Sequence, residues 1–142
     1  MALILILSGL LPFAAGSIQN GYMLAHPDSL PPYAPIAFCA LLIWGCIAFS
    51  LHKRGRRTAQ TVICLHLIAA LDLLLIGIQE CILHAFWMNA VGSWSQLFYL
   101  PVLHFGFRLT PWSHSLFPAY AASFLLMVGI ALIGCKLKER IK

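Results

Sequence analysis

Residues 61–87, TVICLHLIAALDLLLIGIQECILHAFW, form an apolar run that is long enough to cross a lipid bilayer and yet contains two acidic residues. A transmembrane helix needs about 20 predominantly apolar residues. An ionised side chain at the bilayer centre costs about 2.5–3.5 kcal/mol on insertion scales, so an acidic residue at that depth faces a partner, a cavity or water. The run therefore predicts a membrane protein and singles out its own polar residues as candidates for function.

The rest of the chain shares this apolar character. Its 142 residues are 61% hydrophobic and 9% charged, whereas about 25% of residues are charged in soluble domains. The apolar segments predict an all-α fold, a single polytopic domain over residues 1–142 that is built as a four-helix transmembrane bundle. Four helices of this size bury little surface against one another, which favours a homo-oligomer. The predicted membrane spans are residues 2–23, 34–51, 61–87 and 116–135.

Basic residues predict the orientation of this bundle. They cluster after the second span and at the C-terminus, and basic residues in short loops mark the cytoplasmic side of a membrane. We therefore expect a protein of the cell (inner) membrane with cytoplasmic N- and C-termini. Its basic face is predicted to contact anionic lipids, with a cytoplasmic protein as a further candidate partner and no nucleic acid. The members of this face are Lys53, Arg54, Arg56, Arg57, Lys136, Lys138 and Arg140.

The outer segment, residues 88–115, connects the third and fourth spans and is crowded with aromatic side chains. Aromatic residues next to membrane spans are typical of the membrane–water interface. Three structures fit this composition: an interfacial belt, a lid over the bundle, and a re-entrant helix that is too short to cross. The candidate residues of an outer mouth or lid are Trp94, His104, Arg108 and Trp112.

The polar residues of the third span fall on two faces of a helix. At about 3.6 residues per turn, His66, Glu80 and His84 share one face with several small residues. Asp72 and Gln79 form a second polar column, and leucine and isoleucine side chains fill an arc that we expect to meet lipid or an apolar neighbour. The two polar faces predict contacts with protein, with water or with another copy of the chain. All five polar residues are candidates for an ion or proton path.

Asp72 lies near the middle of the third span, and the other spans contain no Lys or Arg that could pair with it. A proton, a transported cation or a hydrogen-bonding group must therefore serve as its partner. In a symmetric oligomer, copies of Asp72 would form a ring of carboxylates, a device that selects cations in channels. Glu80 and His84 are four residues apart, so their side chains can touch on an α-helix and form a relay or an outer gate.

The polar residues of the third span predict a channel-like or proton-coupled transport unit. An enzyme is a less favoured prediction, because the sequence contains no hydrolase or phosphate-binding motif. One alternative is a non-catalytic membrane subunit or sensor that recruits a cytoplasmic partner through the basic face. A second is a haem-binding redox subunit, since His66 and His84 lie on one face about 27 Å apart. A metal site at Glu80 and His84 would need further ligands, which His104 or His114 of the outer segment could supply. No cofactor is predicted.

Overall fold

The part of the chain that the structure describes consists of helices and their connections. The structure is a computed structural model that describes the backbone of residues 2–52 and 57–141 and the side chains of residues 8–52 and 57–141. Three helical segments are long and apolar enough to cross a membrane: Tyr33–Leu51, Thr58–Ile82 and Phe117–Arg140. The helices are α1 (Ala2–Ala25), α2 (Tyr33–Leu51), α3 (Thr58–Gly77), α4 (Ala90–Tyr99), α5 (Leu103–Leu109) and α6 (Phe117–Arg140), with a π-helical turn at Ile78–Ile82.

Helices α1 and α2 lie within two residues of the predicted spans, whereas the third helix begins at Thr58 and α6 continues to Arg140. The four predicted spans include α1, which is not one of the three candidate membrane spans found in the described residues. The end of the third span also differs. The prediction extends this span to residue 87, whereas the helix ends at Ile82 after the π-helical turn. His84 then adopts a positive φ of 51°, a left-handed conformation that is uncommon outside glycine. The chain reverses direction here before α4 begins.

Small residues bring α2 and α6 into backbone contact. A Cβ atom on Gly134 of α6 would lie 2.5 Å from the carbonyl oxygen of Gly45 of α2, which is the close approach that glycine permits between membrane helices. The buried core beside this contact includes Trp44 of α2 and Met127 of α6. Because a side chain at Gly134 would collide with this backbone oxygen, glycine at this position sets how closely α2 and α6 pack.

A polar cluster joins the three long helices at one end. His52, directly after α2, is 2% exposed. Its Nδ1 atom lies 3.1 Å from Thr61 Oγ1 of α3, and its Nε2 atom lies 3.2 Å from Glu139 Oε1 of α6. The hydroxyl group of Thr58 donates a hydrogen bond to the same Glu139 oxygen. The end of α2, the start of α3 and the end of α6 therefore meet, so α3 runs antiparallel to both other helices.

The outer segment folds as two short helices, α4 and α5, that pack into the bundle. Tyr99 at the end of α4 donates a hydrogen bond from its hydroxyl group to the carbonyl oxygen of Ala69, well inside α3. Phe98 belongs to the buried core. A Cβ atom on Gly106 of α5 would lie 2.2 Å from the carbonyl oxygen of Ala119 of α6. The α4–α5 hairpin is therefore a part of the core.

Helix α1 packs against α3 and α4. A Cβ atom on Gly16 would lie 1.8 Å from the carbonyl oxygen of Leu97 of α4, so the two backbones touch. One turn earlier, the Phe13 ring stacks on the Trp94 ring with centroids 4.0 Å apart. The C-terminal half of α1 lies beside the start of α2, so these two helices are antiparallel.

Candidate functional site

The two polar faces of the third helix meet two different neighbours. The face with His66 and Glu80 packs on α6, since His66 contacts Phe124 and Glu80 binds the backbone at the start of α6. The column with Asp72 and Gln79 packs on α4. The sequence predicts that both polar faces contact protein, water or another copy of the chain, and does not distinguish between these neighbours. In the structure, α4 and α6 of the same chain cover them.

Asp72 is buried in the middle of α3, with 4% of its surface exposed. Its carboxyl group interacts with the side chain of Trp94, whose indole N–H is a hydrogen-bond donor. Its Oδ2 atom is buried and has no hydrogen-bond partner among the residues that the structure describes. The carboxyl group is therefore only partly satisfied, which is costly for a buried polar group.

Gln79 holds the reversal after the π-helical turn in place. Its Oε1 atom accepts a hydrogen bond of 2.9 Å from the backbone N–H of Trp87, and its Nε2 atom donates one of 3.3 Å to Ser95 Oγ. The hydroxyl group of Ser95 in turn donates to the carbonyl oxygen of Gly92. The Gln79 amide therefore links the π-helical turn to the Trp87 backbone and to Ser95 of α4, and so it holds α4 beside Asp72.

Glu80 is bound to α6. Its Oε1 atom accepts a hydrogen bond from the backbone N–H of Leu116, directly before α6 begins. Its Oε2 atom is buried without a hydrogen-bond partner in the described part of the chain. A carboxylate at the N-terminus of a helix also interacts favourably with the helix dipole. Glu80 thus has one oxygen bound to the start of α6 and one oxygen without a recorded partner.

The predicted contact between Glu80 and His84 requires a regular α-helix. The π-helical turn from Ile78 to Ile82 changes the register of this segment, and the chain leaves the helix before His84. His84 is exposed, and between these two described residues the structure records no hydrogen bond. The partner of Glu80 is the start of α6 instead.

His66 is fully paired inside the core. Its Nδ1 atom lies 2.9 Å from the carbonyl oxygen of Val62, and its Nε2 atom accepts a hydrogen bond of 3.1 Å from the indole N–H of Trp44. These partners define a neutral tautomer with the proton on Nδ1. Both ring nitrogens are occupied, so His66 has no lone pair free for haem iron or a metal ion in this conformation.

The residues predicted for an outer mouth are spread over different places. His104 stacks on Tyr33 at the start of α2 with ring centroids 6.3 Å apart. Arg108 is exposed at the end of α5, and Trp112 is 74% exposed after it. Trp94 is a member of the Asp72 site.

The described members of the predicted basic face lie at one end of the bundle. Arg57 directly precedes α3, and the last turns of α6 carry the others. Of these, Lys136 and Arg140 are exposed, and the Lys138 ammonium group donates a hydrogen bond of 2.9 Å to the carbonyl oxygen of Ser50. Three further members, Lys53, Arg54 and Arg56, lie outside the described residues.

Within residues 8–52 and 57–141, no group of three or more His, Cys, Asp or Glu side chains is arranged to hold a metal ion. The five cysteines are unpaired thiols, and only Cys135 is buried. Cys135 lies 3.8 Å from the carbonyl oxygen of Ala48.

Comparison of the chain with protein-family models, with curated proteins and with solved structures found no match in any of the three.

Proposed function

We propose that the protein is a proton-coupled membrane protein in which Asp72 and Glu80 are protonatable sites inside the helical bundle. The observation that supports this most is that each carboxyl group has one buried oxygen without a hydrogen-bond partner. In the described segments, neither group takes part in a recorded ion pair. An ionised carboxylate is costly at Asp72, which is 4% exposed in the middle of α3. A bound proton therefore neutralises the carboxylate without a further residue. Binding and release of this proton is the reaction that we propose for the site.

The membrane placement in this proposal has four crossings: α1, α2, the α3 helix with its π-helical turn, and α6. The basic end is cytoplasmic, and both termini lie there, in the inner membrane of the cell. The α4–α5 hairpin is re-entrant, which a membrane tolerates where the irregular backbone is buried in protein. In this placement Asp72 lies near the membrane centre, and Glu80 lies about 12 Å nearer the outer surface.

Two tyrosines pack against each other near the two carboxyl groups. The Tyr99 and Tyr120 rings meet edge to face with centroids 5.8 Å apart. Tyr99 interacts electrostatically with Asp72, and Tyr120 interacts with Glu80.

We propose an oligomer whose subunit interface does not include the Asp72 site. Because α4 of the same chain covers Asp72, the carboxylate site operates within one chain, and a ring of Asp72 side chains around a symmetry axis is not part of the proposal. Copies associate through the lipid-facing arc of α3, where three leucines are about half exposed: Leu67, Leu71 and Leu74.

Proton flux into liposomes tests the function. The full chain is reconstituted with a pH-sensitive dye inside the vesicles, and a potassium gradient with valinomycin supplies the driving potential. We expect wild-type protein to acidify or alkalinise the lumen according to the sign of the potential. Asp72→Asn keeps the shape of the side chain but cannot exchange the proton, so its flux should fall to that of protein-free vesicles.

The matched control is Asp28→Asn, because Asp28 is an exposed acid in the connection between α1 and α2. Its flux should equal that of wild type. Equal flux from Asp72→Asn and wild type, or no flux from wild type under either potential, would contradict the proposal.

A second candidate function, recruitment of an acidic cytoplasmic partner or of anionic lipid, is favoured by the exposed basic residues at one end. Arg57, Lys136 and Arg140 are all exposed there. Replacing these three residues with Gln should reduce the anionic phospholipid retained in native mass spectrometry and leave proton flux unchanged. Unchanged lipid retention would argue against this role.

A further inference from the structure

The backbone is strained directly after the third helix. Ile78–Ile82 forms a π-helical turn, and the backbone N–H of Leu83 donates to the carbonyl oxygen of Ile78, five residues earlier. His84 follows with a φ of 51°, a conformation in which a side chain crowds its own backbone. Single π-helical turns are rare and occur frequently at functional sites. Strain of this kind persists only where the surrounding contacts hold it in place.

Two side chains of the π-helical turn supply such contacts. Gln79 Oε1 accepts a hydrogen bond from the backbone N–H of Trp87, which lies beyond the reversal of the chain. Glu80 Oε1 accepts one from the backbone N–H of Leu116 at the start of α6. These two hydrogen bonds tie the reversal to the turn and the turn to α6, so they offset the strain at His84.

A regular α-helix through the same residues is the alternative conformation. The backbone N–H groups of Leu83 and Ala85 would then find acceptors four residues earlier, so neither loses a backbone hydrogen bond. His84 would adopt ordinary helical dihedral angles, and its imidazole would lie beside Glu80. Because the imidazole carries an N–H in its neutral and in its charged form, it can donate to the Glu80 carboxyl group in either form.

The surroundings of the reversal leave room for this change. Leu83, His84 and Ala85 are exposed, so their movement disrupts no buried packing. The sequence from Glu80 to Trp87 contains neither glycine nor proline, so it contains no helix breaker. A helix that continues to residue 85 leaves residues 86–89 to connect it with α4, a usual length for a connection between helices.

We propose that residues 78–84 are a conformational switch between a π-helical and an α-helical register. In the π-helical register, which the structure shows, Glu80 binds the start of α6 and Gln79 holds the reversal. In the α-helical register, Glu80 binds His84 and the hydrogen bond from Trp87 to Gln79 is broken. The role of the switch rests on the proposed function: as Glu80 exchanges its proton, the switch transfers it between a partner inside the bundle and an exposed imidazole.

Double electron–electron resonance on the full chain in nanodiscs tests the switch. Spin labels are attached through p-acetylphenylalanine in place of Leu67 on α3 and Met88 after the turn, which are 49% and 101% exposed, so the five cysteines stay unchanged. The α-helical register gives a longer distance, because the helix continues past Ile82 by about 1.5 Å per residue instead of reversing. Gln79→Met removes the acceptor of the Trp87 N–H and should raise the longer-distance population about fivefold.

Adding His84→Gly to Gln79→Met should lower this population again by about fivefold, because glycine tolerates the positive φ and cannot pair with Glu80. Leu116→Pro removes the N–H that binds Glu80, at a φ of −83° for the residue before α6, and should also favour the longer distance. It keeps the test decisive if Gln79→Met folds poorly. The matched controls are Gln60→Met and His114→Gly, at exposed residues, and neither should change the distances.

Two results would overturn the proposal. One is a single distance that stays the same in Gln79→Met and in Leu116→Pro. The other is a longer distance in these variants that His84→Gly does not reduce, because local unfolding rather than a helical register would then be its cause. The distances are measured without proton flux, so the switch and the proposed function can each fail without the other.

Discussion

The contact between Trp94 and Asp72 predicts an energetic coupling that can be measured. Trp94→Phe removes the indole N–H that faces Asp72 but keeps an aromatic ring to stack on Phe13. Loss of this donor leaves the buried carboxyl group without a side-chain donor, which costs about 1–3 kcal/mol. The smaller ring adds a loss of about 0.5 kcal/mol, since Trp94 is half-buried and burial is worth about 25 cal/mol per Å². We therefore expect the free energy of unfolding to fall by about 1.5–3.5 kcal/mol.

A double-mutant cycle separates the hydrogen bond from the ring. Asp72→Ala removes the carboxyl group, so in that background Trp94→Phe should cost only the packing part, about 0.5 kcal/mol. Unfolding is followed by circular dichroism in detergent, because the substitution itself changes the tryptophan fluorescence. Trp112→Phe, at a residue that is 74% exposed, should change stability by less than about 0.5 kcal/mol. Additive effects of Trp94→Phe and Asp72→Ala would refute the proposed hydrogen bond.

Two other contacts give predictions of stability. Gly16→Ala would place a Cβ atom 1.8 Å from a backbone oxygen of α4, whereas a Cβ atom at Gly129 has nothing within 4 Å. Gly16→Ala should therefore lower the melting temperature in detergent, and Gly129→Ala should not. Equal melting temperatures would contradict the described packing of α1 on α4. Trp44→Phe removes the donor to His66 Nε2 and should cost about 1–3 kcal/mol of unfolding free energy. If Trp44→Phe lowers the unfolding free energy by the same amount in a His66→Leu background, the hydrogen bond between these residues is not the source of the cost.

Much of the helical framework could be predicted from hydrophobicity alone. The apolar runs predict the bounds of α1 and α2 to within two residues, because a long apolar segment in a chain with few charges favours a helix. They predict the start of α6 but not its charged last turns, which continue to Arg140. The end of the third helix was misplaced because nothing in ECILHAFW marks a π-helical turn. Its apolar residues continue past Ile82 even though the backbone leaves the helix there.

The site was less accessible to sequence reasoning, because its partners come from a segment of ambiguous composition. The helical period predicts one column for Asp72 and Gln79, since side chains seven residues apart lie on the same face. In the structure Asp72 of α3 and Gln79 of the π-helical turn both contact α4. It could not show that Trp94 and Ser95 would cover that column. The aromatic residues of the outer segment fit a surface belt as well as a buried hairpin, and only tertiary packing distinguishes the two. The spacing of apolar and polar residues along the sequence does not single out Gln19 or His52 as buried polar residues.

The most direct test of the central claim is infrared difference spectroscopy of the purified protein during a pH titration. The chain contains four acidic side chains, and a protonated carboxyl group in apolar surroundings gives a C=O band separate from those of exposed acids. If Asp72 exchanges a proton, a band of this kind disappears reversibly as the pH rises, is lost in Asp72→Asn and persists in Asp28→Asn. A spectrum of Asp72→Asn identical to that of wild type would contradict the assignment of Asp72 as the exchangeable proton site.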